Sequence, residues 1–446
     1  MIDKEALKAL VSAEIDRRAD EIVAISDHVM RHPETGYREV RTAAFVAGHF
    51  ARLGLPYQEK LALTGVKARM SGGAAGPTVA LMGELDSLVS AAHPFADPVT
   101  GAAHACGHNA MIGSMLGAAF GLRPVMEHLA GDVVLFAVPA EEGIELEYRL
   151  GLRERGEIEF IQGKPELIRL GEFDDVDLAM ITHTTDDTEP WLANPGSSTI
   201  GALKKLVAFR GRSAHAGGWP WEGVNALKAA TLAMTGMDLQ RETFRDSDNV
   251  RIHWNVTKGG EAVSAVPDDV RLDIMVRANR VEAMLDASAK VDRALRAGAL
   301  ALGAAVEITT MSGVLPMQID PNLRELVRAN QETLFGADRV GPPGHSTAGT
   351  DVGDLGHIMP VCQPLATGVT SAPHTEFYHV TDHVTAAVNP AKFMALTVVD
   401  LLYGDAAEAR RVIEEARPSK ITKDEYLALR RAQDTHEHFD GGLKAS

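Results

Sequence analysis

A thiol and an imidazole stand two residues apart in the run His104-Ala105-Cys106-Gly107-His108-Asn109. The glycine between them frees the backbone enough for Cys106 and His108 to face one small cation. Alone the turn is an incomplete site, since a catalytic zinc takes about three protein ligands and keeps one position open. Other metal-competent side chains follow short apolar runs: residues 132–138 lead into Pro139-Ala140-Glu141-Glu142-Gly143, residues 177–182 into His183, and residues 78–82 into Gly83-Glu84-Leu85-Asp86. Ala372-Pro373-His374-Thr375-Glu376 adds an imidazole after a loop rich in glycine and proline. Adjacent carboxylates can divide labour, one coordinating while its neighbour stays basic. A divalent ion brings the pKa of water toward neutrality, and a carboxylate beside it takes the proton as the water attacks a carbonyl or a similarly polarised carbon.

The elements that must carry these residues follow from the hydropathy pattern. Short continuous apolar runs bounded by turn signals read as strands buried on both faces, and open parallel sheets bind ligands at the carboxyl ends of their strands. Helical spacing is expected over residues 5–31 and 42–53, and again over 109–122, directly behind the cysteine-histidine turn, where the helix dipole would favour the thiolate. Residues 144–172 form a charged insertion, either a lid or a solvated excursion. From about residue 198 the texture changes. Strand-like 204–210, helix-like 225–238, strand-like 250–256 and 270–277 and a long helix over 281–301 describe a smaller α+β domain. The fold class is therefore α/β: a mostly parallel-sheet catalytic domain with helices on both faces, spanning 1–197 and 313–446, with an inserted α+β lid or dimerisation domain over 198–312. The strand at 204–210 is expected to be free to pair edge to edge with a second copy. The last forty residues are charged and helix-prone.

Composition frames this reading. The 446 residues are 45% hydrophobic and 24% charged, enough for two or three domains with cores of their own. A net charge of −17 weighs against nucleic acid or an anionic membrane as partner. Cys106 and Cys362 make no disulfide framework, the opening Met1-Ile2-Asp3-Lys4-Glu5 lacks a signal-peptide core, and no uninterrupted apolar run reaches membrane-spanning length. A cytoplasmic enzyme is expected.

Taken together, Glu84-Leu85-Asp86-Ser87-Leu88, the cysteine-histidine turn, Pro139 to Gly143, Ser213-Ala214-His215-Ala216 with Trp221-Glu222-Gly223-Val224-Asn225-Ala226, and Gly349-Thr350-Asp351 resemble the metal-dependent aminoacylase and carboxypeptidase superfamily. The similarity is greatest to the branch of amino-acid amidohydrolases and p-aminobenzoyl-glutamate hydrolase subunits, over roughly residues 20 to 403. The resemblance implies that Cys106, His108, Glu142, His183 and His374 bind one or two divalent ions, zinc or manganese, with Glu141 as general base. It makes Asp86 the acid that orients a ligand histidine. It implies that His215 stabilises the oxyanion in the neighbouring subunit's site of a homodimer. Arg277 and the Gly349, Thr350 and Asp351 loop become substrate-facing, the guanidinium being suited to a carboxylate. The plainer reading of Arg277 is an ion pair with Asp268, Asp269 or Asp273. His104, His253, His345 and His357 are expected to be structural or peripheral, Cys362 core, and Trp219 and Trp221 packing.

Three departures qualify the substrate and suggest one that is not a simple N-acyl amino acid: Asn109 follows His108 where amidohydrolases usually carry aspartate, Ser264 stands where many members place asparagine before the Val266-Pro267 pair, and the 144–172 insertion is unusual. Separately, Glu84 stands where relatives carry histidine or aspartate. The last weighs against a second ion. The expected activity is hydrolysis of an amide such as an N-acyl or N-aroyl amino acid. The alternatives are hydrolytic deamination of a small aromatic amino acid such as 5-nitroanthranilate, and a non-catalytic subunit of a paired hydrolase.

Overall fold

The computed structural model describes residues 2–186 and 191–443. The chain divides into two compact units. The larger takes in the chain up to Ser198, Gln318–His345 and Asp354–Lys423; the smaller takes in Thr199–Met317, Ser346–Gly353 and the chain from Asp424 onward.

The larger unit is built on a six-stranded sheet in the order Tyr57–Leu61, Gly65–Ser71, Ala130–Val138, Ala74–Glu84, Leu178–Ile181, Val361–Cys362. The last four run parallel and the first two close the edge antiparallel. Val79 to Glu84 and Val133 to Val138 are buried without interruption, as befits strands covered by helices on both faces. Register pairs Glu84 with Val138, so the segments carrying Glu84 and Asp86 and carrying Glu141 and Glu142 leave the sheet side by side.

Helix His108–Leu122 lies behind that edge with every residue buried. Its glycines let other helices approach closely: a Cβ at Gly117 would come within 2.7 Å of Ile22 and 2.8 Å of Ala391. Ile22 lies on helix Ala19–Met30 and Ala391 on helix Asn389–Leu402. The periodic stretch near the N-terminus is two helices, Lys4–Arg17 and Ala19–Met30, broken at Arg18. The helical stretch Val384–Leu402 is long and apolar enough by composition to cross a bilayer, although Asn389, Lys392 and Asp400 interrupt it; 72% of it is buried inside the protein, as a core helix would be.

The charged insertion is only partly solvated: residues 154–157 are exposed, while other parts of it are buried in the fold. It folds into helices Leu146–Glu154 and Gly163–Leu170, and Arg149, Lys164 and Glu166 are fully buried. Hydrogen bonds offset that burial: Arg149 donates to the carbonyls of Ala140 and Ile161, and Glu166 accepts from the backbone of Glu159 and Phe160 at 3.0 Å.

The smaller unit is an antiparallel sheet in the order Arg251–Lys258, Asp269–Ala278, Gly201–Arg210, Ala305–Val314, Thr435–Asp440. Strict alternation of burial along Gly201–Arg210 puts Leu203, Val207 and Phe209 against the core side, where helices Ala226–Asp238 and Val281–Leu302 pack. Two expectations are corrected here. Gly201–Arg210 is the central strand, bonded along its length on both sides, so it offers no edge to a second copy; the edges are Arg251–Lys258 and Thr435–Asp440. The C-terminal segment ends as a strand bonded to Ala305–Val314 and belongs to the smaller unit, because an unpaired sheet edge is satisfied by any chain that can extend along it.

Candidate metal centre and active site

All five ligand candidates converge within the larger unit. Cys106, His108 and His183 form one group whose donor atoms lie within 4.8 Å of one another; Cys106, Glu142 and His374 form a second by the same measure. Cys106 belongs to both. The Cys106 Sγ lies 3.4 Å from His183 Nε2, and His374 Nε2 lies 3.4 Å from Glu142 Oε1.

Local backbone explains the convergence. Gly107 caps helix His108–Leu122 at φ 88°, a left-handed conformation, and a Cβ there would collide with the hydroxyls of Thr184 and Tyr378. Only glycine lets the turn fold under those hydroxyls and aim Cys106 and His108 the same way. Ala140 and His374 also adopt positive φ, 54° and 67°, a strained choice for residues with a side chain. The backbone N–H of His374 is tied to the Ala105 carbonyl at 2.8 Å, which fixes the distant loop to the cysteine turn.

Asp86 orients the centre through two bonds. Its backbone carbonyl accepts from His108 Nδ1 at 2.8 Å, with its carboxylate 3.3 Å from the same nitrogen, and its Oδ2 accepts the Glu142 N–H at 2.9 Å. With Nδ1 donating, the neutral His108 ring presents a lone pair on Nε2. That atom, Glu84 Oε2 and Glu142 Oε1 are buried and make no hydrogen bond. Such orphaned donors, turned toward one another around a thiol, fit a divalent ion. The surroundings attract positive charge: burial opposes a charged His108, yet Glu84, Asp86 and Cys106 outweigh it and raise its pKa well above the ordinary value, so a bound cation would have to displace a proton from Nε2. Burial and the Glu142 carboxylate push the Cys106 thiol up, so a cation is needed to make the thiolate. Burial and the neighbouring His108 keep His183 below its ordinary value, in the neutral form a metal requires. Glu141 Oε2 stands 4.0 Å from His108 Nε2 and joins Glu84 and His108 in a third three-donor group that lacks Cys106; its backbone carbonyl accepts from Gln162 at 3.1 Å.

A model of peptidase family M20/M25/M40 matches residues 80–395. The chain belongs to that family. As an M20 family member it is a metal-dependent hydrolase acting on C–N bonds. It is 28% identical over 438 residues to an Xaa-Arg dipeptidase of Mus musculus, covering 90% of each chain. It is 27% identical over 263 residues to one of the p-aminobenzoyl-glutamate hydrolase subunits of Escherichia coli, covering 57% of this chain and 50% of that one. A solved Bacillus subtilis structure described as a dinuclear metal binding peptidase superposes with a TM-score of 0.68 at 19% identity, over 86% of this chain and 98% of that one, which shows a shared fold.

The remaining predicted site residues belong to the smaller unit. His215 is exposed, and its Nδ1 accepts from the N–H groups of Gly217 at 3.2 Å and Gly218 at 2.9 Å. The neutral ring therefore carries its proton on Nε2. Arg277 is half-buried and pairs with none of the three nearby acids named for it; its Nη1 reaches the Thr347 carbonyl at 3.4 Å. A Cβ at Gly349 would meet the Val314 side chain at 2.9 Å and the Ile200 carbonyl at 3.2 Å, Thr350 caps the turn into Val352 and Gly353, and Asp351 is buried. Trp219 and Trp221 are exposed rather than packed, at 61% and 71%, with Trp219 set edge-on to His215. His104 is buried beside the metal turn, and desolvation with the nearby His108 pushes its pKa down to about 3, as for a structural imidazole.

Sequence reasoning missed three charges. Lys164 Nζ donates to Glu84 Oε1 at 2.5 Å, Arg149 holds the Ala140 carbonyl, and Glu39 accepts from the Ala140 N–H at 2.8 Å and from Thr64 at 2.7 Å. Arg149 and Glu39 brace the loop that presents Glu141 and Glu142, and Lys164 holds Glu84 beside it. The sequence signal for Arg149 and Lys164 was basic residues inside a charged insertion, and for Glu39 a lone acid, none of them separable from a surface charge without the fold.

Proposed function

We propose that this M20 family hydrolase cleaves the amide of an N-acyl or N-aroyl amino acid, with Glu141 as general base. In this reading Cys106, His108, Glu142, His183 and His374 hold one or two divalent ions, zinc or manganese. The observation that carries it is the pair of three-donor groups sharing Cys106, with Glu141 beside them and outside both. A bound divalent ion would polarise the carbonyl and acidify water. Glu141 takes the proton of the attacking water and returns it to the leaving nitrogen. Asp86 keeps the His108 Nδ1 proton in place, so Nε2 stays a donor of electrons rather than of hydrogen.

His215 supplies the oxyanion donor. Its tautomer supports that role, because Nδ1 is committed to two backbone N–H groups and Nε2–H is left to donate. We assign it to the neighbouring subunit's site in a homodimer. Arg277 with Gly349, Thr350 and Asp351 receives the substrate's carboxylate end. The enzyme works in the reducing cytoplasm, where the free thiol of Cys106 stays available.

The test is product analysis on the metal-reconstituted protein across a panel of N-acyl amino acids, N-aroyl amino acids and aromatic amines. Release of a free amino acid from an amide supports the reading. Ammonia from an arylamine such as 5-nitroanthranilate would replace it with deamination, and silence on the whole panel with metal bound would favour a non-catalytic subunit.

A further inference from the structure

Three consecutive peptide planes run from Pro139 to Glu142, and each is held from outside. On the first, the Ala140 N–H donates to Glu39 Oε1 at 2.8 Å. On the second, the Ala140 carbonyl accepts from the Gly163 N–H at 3.0 Å and from Arg149 Nη1 at 3.4 Å. On the third, the Glu141 carbonyl accepts from Gln162 Nε2 at 3.1 Å and the Glu142 N–H donates to Asp86 Oδ2 at 2.9 Å. A peptide unit is planar, so holding the planes on both sides of the Glu141 Cα sets its φ and ψ and the direction of its Cα–Cβ bond. What the carboxylate can still reach is set by its side-chain torsions alone.

Arg149, Gln162 and Gly163 all belong to the charged insertion, and the fold is shaped to admit them. Arg149 is fully buried; its Nη1 also donates to the Ile161 carbonyl at 2.9 Å, and its Nε and Nη2 make no hydrogen bond. A Cβ on Gly36 would collide with the guanidinium and come within 2.9 Å of the Ala140 Cα, and a Cβ on Gly163 would collide with the Pro139 carbonyl. The segment they grip is strained, since Ala140 sits at φ 54°, where a side chain opposes the backbone. A guanidinium buried on two neutral carbonyls is a poor source of stability. Its effect is on the orientation of the peptide between Ala140 and Glu141.

We propose that Arg149 and Gln162 are positioning residues for the general base: the insertion pins the two peptide planes that flank Glu141 and so holds its carboxylate in one place beside the metal centre. The strain at Ala140 gives the pinning a direction. Without Arg149 the 140–141 peptide relaxes away from the left-handed conformation and carries Glu141 with it. Glu142 keeps its place, because Asp86 holds its N–H independently of the insertion. The catalytic part rests on Glu141 being the base, as proposed above; the pinning of the segment does not.

Full-length, metal-loaded protein is compared as wild type, Arg149→Met, Gln162→Leu and Arg155→Met, the last removing an equal charge from an exposed position of the same insertion. On N-benzoylglycine and N-acetylmethionine, Arg149→Met and Gln162→Leu should each lower kcat by about tenfold or more, as misplacement of a reacting group does, with KM and metal content unchanged. Arg155→Met should match wild type. In a Glu141→Ala background neither substitution should lower the residual rate further, because a residue that acts through Glu141 has nothing left to act on. A kcat that falls only in step with metal content, or a further loss in the Glu141→Ala background, would overturn the proposal. Should Arg149→Met fail to fold, the half-buried Gln162 decides it: an unchanged kcat in Gln162→Leu overturns the proposal. Hydrogen exchange needs no turnover. The peptide spanning 139–145 should exchange about tenfold faster or more in the two variants than in wild type and Arg155→Met, with metal retained. If exchange rises but wild type cleaves neither amide, the amide reading fails and the pinning stands. If exchange is unchanged, the pinning fails.

Discussion

Lys164 Nζ lies 2.5 Å from Glu84 Oε1, and both side chains are sealed from solvent beside the metal turn. Burial by itself would raise the Glu84 pKa; Lys164 and the imidazoles of His108 and His183 outweigh it and hold the carboxyl below its ordinary value. The other oxygen of Glu84 faces His108 Nε2 at 3.0 Å. The insertion thus brings a fixed cation to the rim of the centre and engages one oxygen of Glu84 while the other stays turned toward His108.

Lys164→Met should therefore be costly. Removing one partner of a buried pair leaves an uncompensated charge, with a penalty of about 3 to 5 kcal/mol. Glu84→Gln combined with Lys164→Met should recover much of that loss, because no charge is then left alone. Chemical denaturation of wild type, both single variants and the double variant measures the coupling. A single Lys164→Met as stable as the double variant would show that the pair is not the reason for the buried lysine.

Glu141→Ala is expected to keep its metal and lose nearly all turnover, whereas Glu142→Ala and His108→Ala should lose metal as well. The geometry motivates the split: Glu142 sits in a three-donor group with the Cys106 thiol and His374, whereas Glu141 groups only with Glu84 and His108, and Lys164 already holds Glu84. Plasma emission on each purified variant, alongside activity, is the check. An active Glu141→Ala protein would remove the mechanism.

Mixing two inactive proteins tests where His215 acts. If it completes the neighbouring subunit's site, an equimolar mixture of His215→Ala and Glu141→Ala should regain up to about a quarter of wild-type activity overall, since about half of the dimers are mixed and each mixed dimer has one intact site of two. Native mass spectrometry establishes that subunits exchanged. Exchange without activity would place His215 in its own subunit's chemistry or in none.

His49, buried on helix Val40–Arg52 against Phe45, gives the fold an acid limb. Desolvation, with Arg52 nearby, lowers its pKa from 6.5 to about 4, so the native state holds it neutral. A depressed folded value contributes stability that is present above pH 6.5 and is lost as pH falls toward 4, by about 2 kcal/mol after allowance for solvent screening. His49→Phe should flatten the stability profile in that window. Melting temperatures across the pH range, measured on both proteins, decide it; parallel profiles would show that other groups set the acid limb.

The sequence by itself determined the chemistry and most of the scaffold. Cys106, His108, Glu142, His183 and His374 were legible because each follows a strand-like run or a turn whose pattern is local, and a parallel sheet sends such ends to one edge. Gly107 was legible as a loosened turn for the same reason. Only the tertiary structure decided which charges stand alone and which strands stand at an edge. Lys164, Arg149 and Glu39 read as surface residues in any window of sequence, and they become buried braces because segments distant in the chain close over them. Residues 204–210 read as any half-buried strand, and their central position follows from pairings with Asp269–Ala278 and Ala305–Val314 that no local pattern encodes. Arg277 could be given a carboxylate partner from sequence, yet its opposition to Arg251 depends on cross-strand register. Hydropathy fixes what a segment becomes, whereas long-range pairing fixes what it meets, and the energy of a charge depends on what it meets.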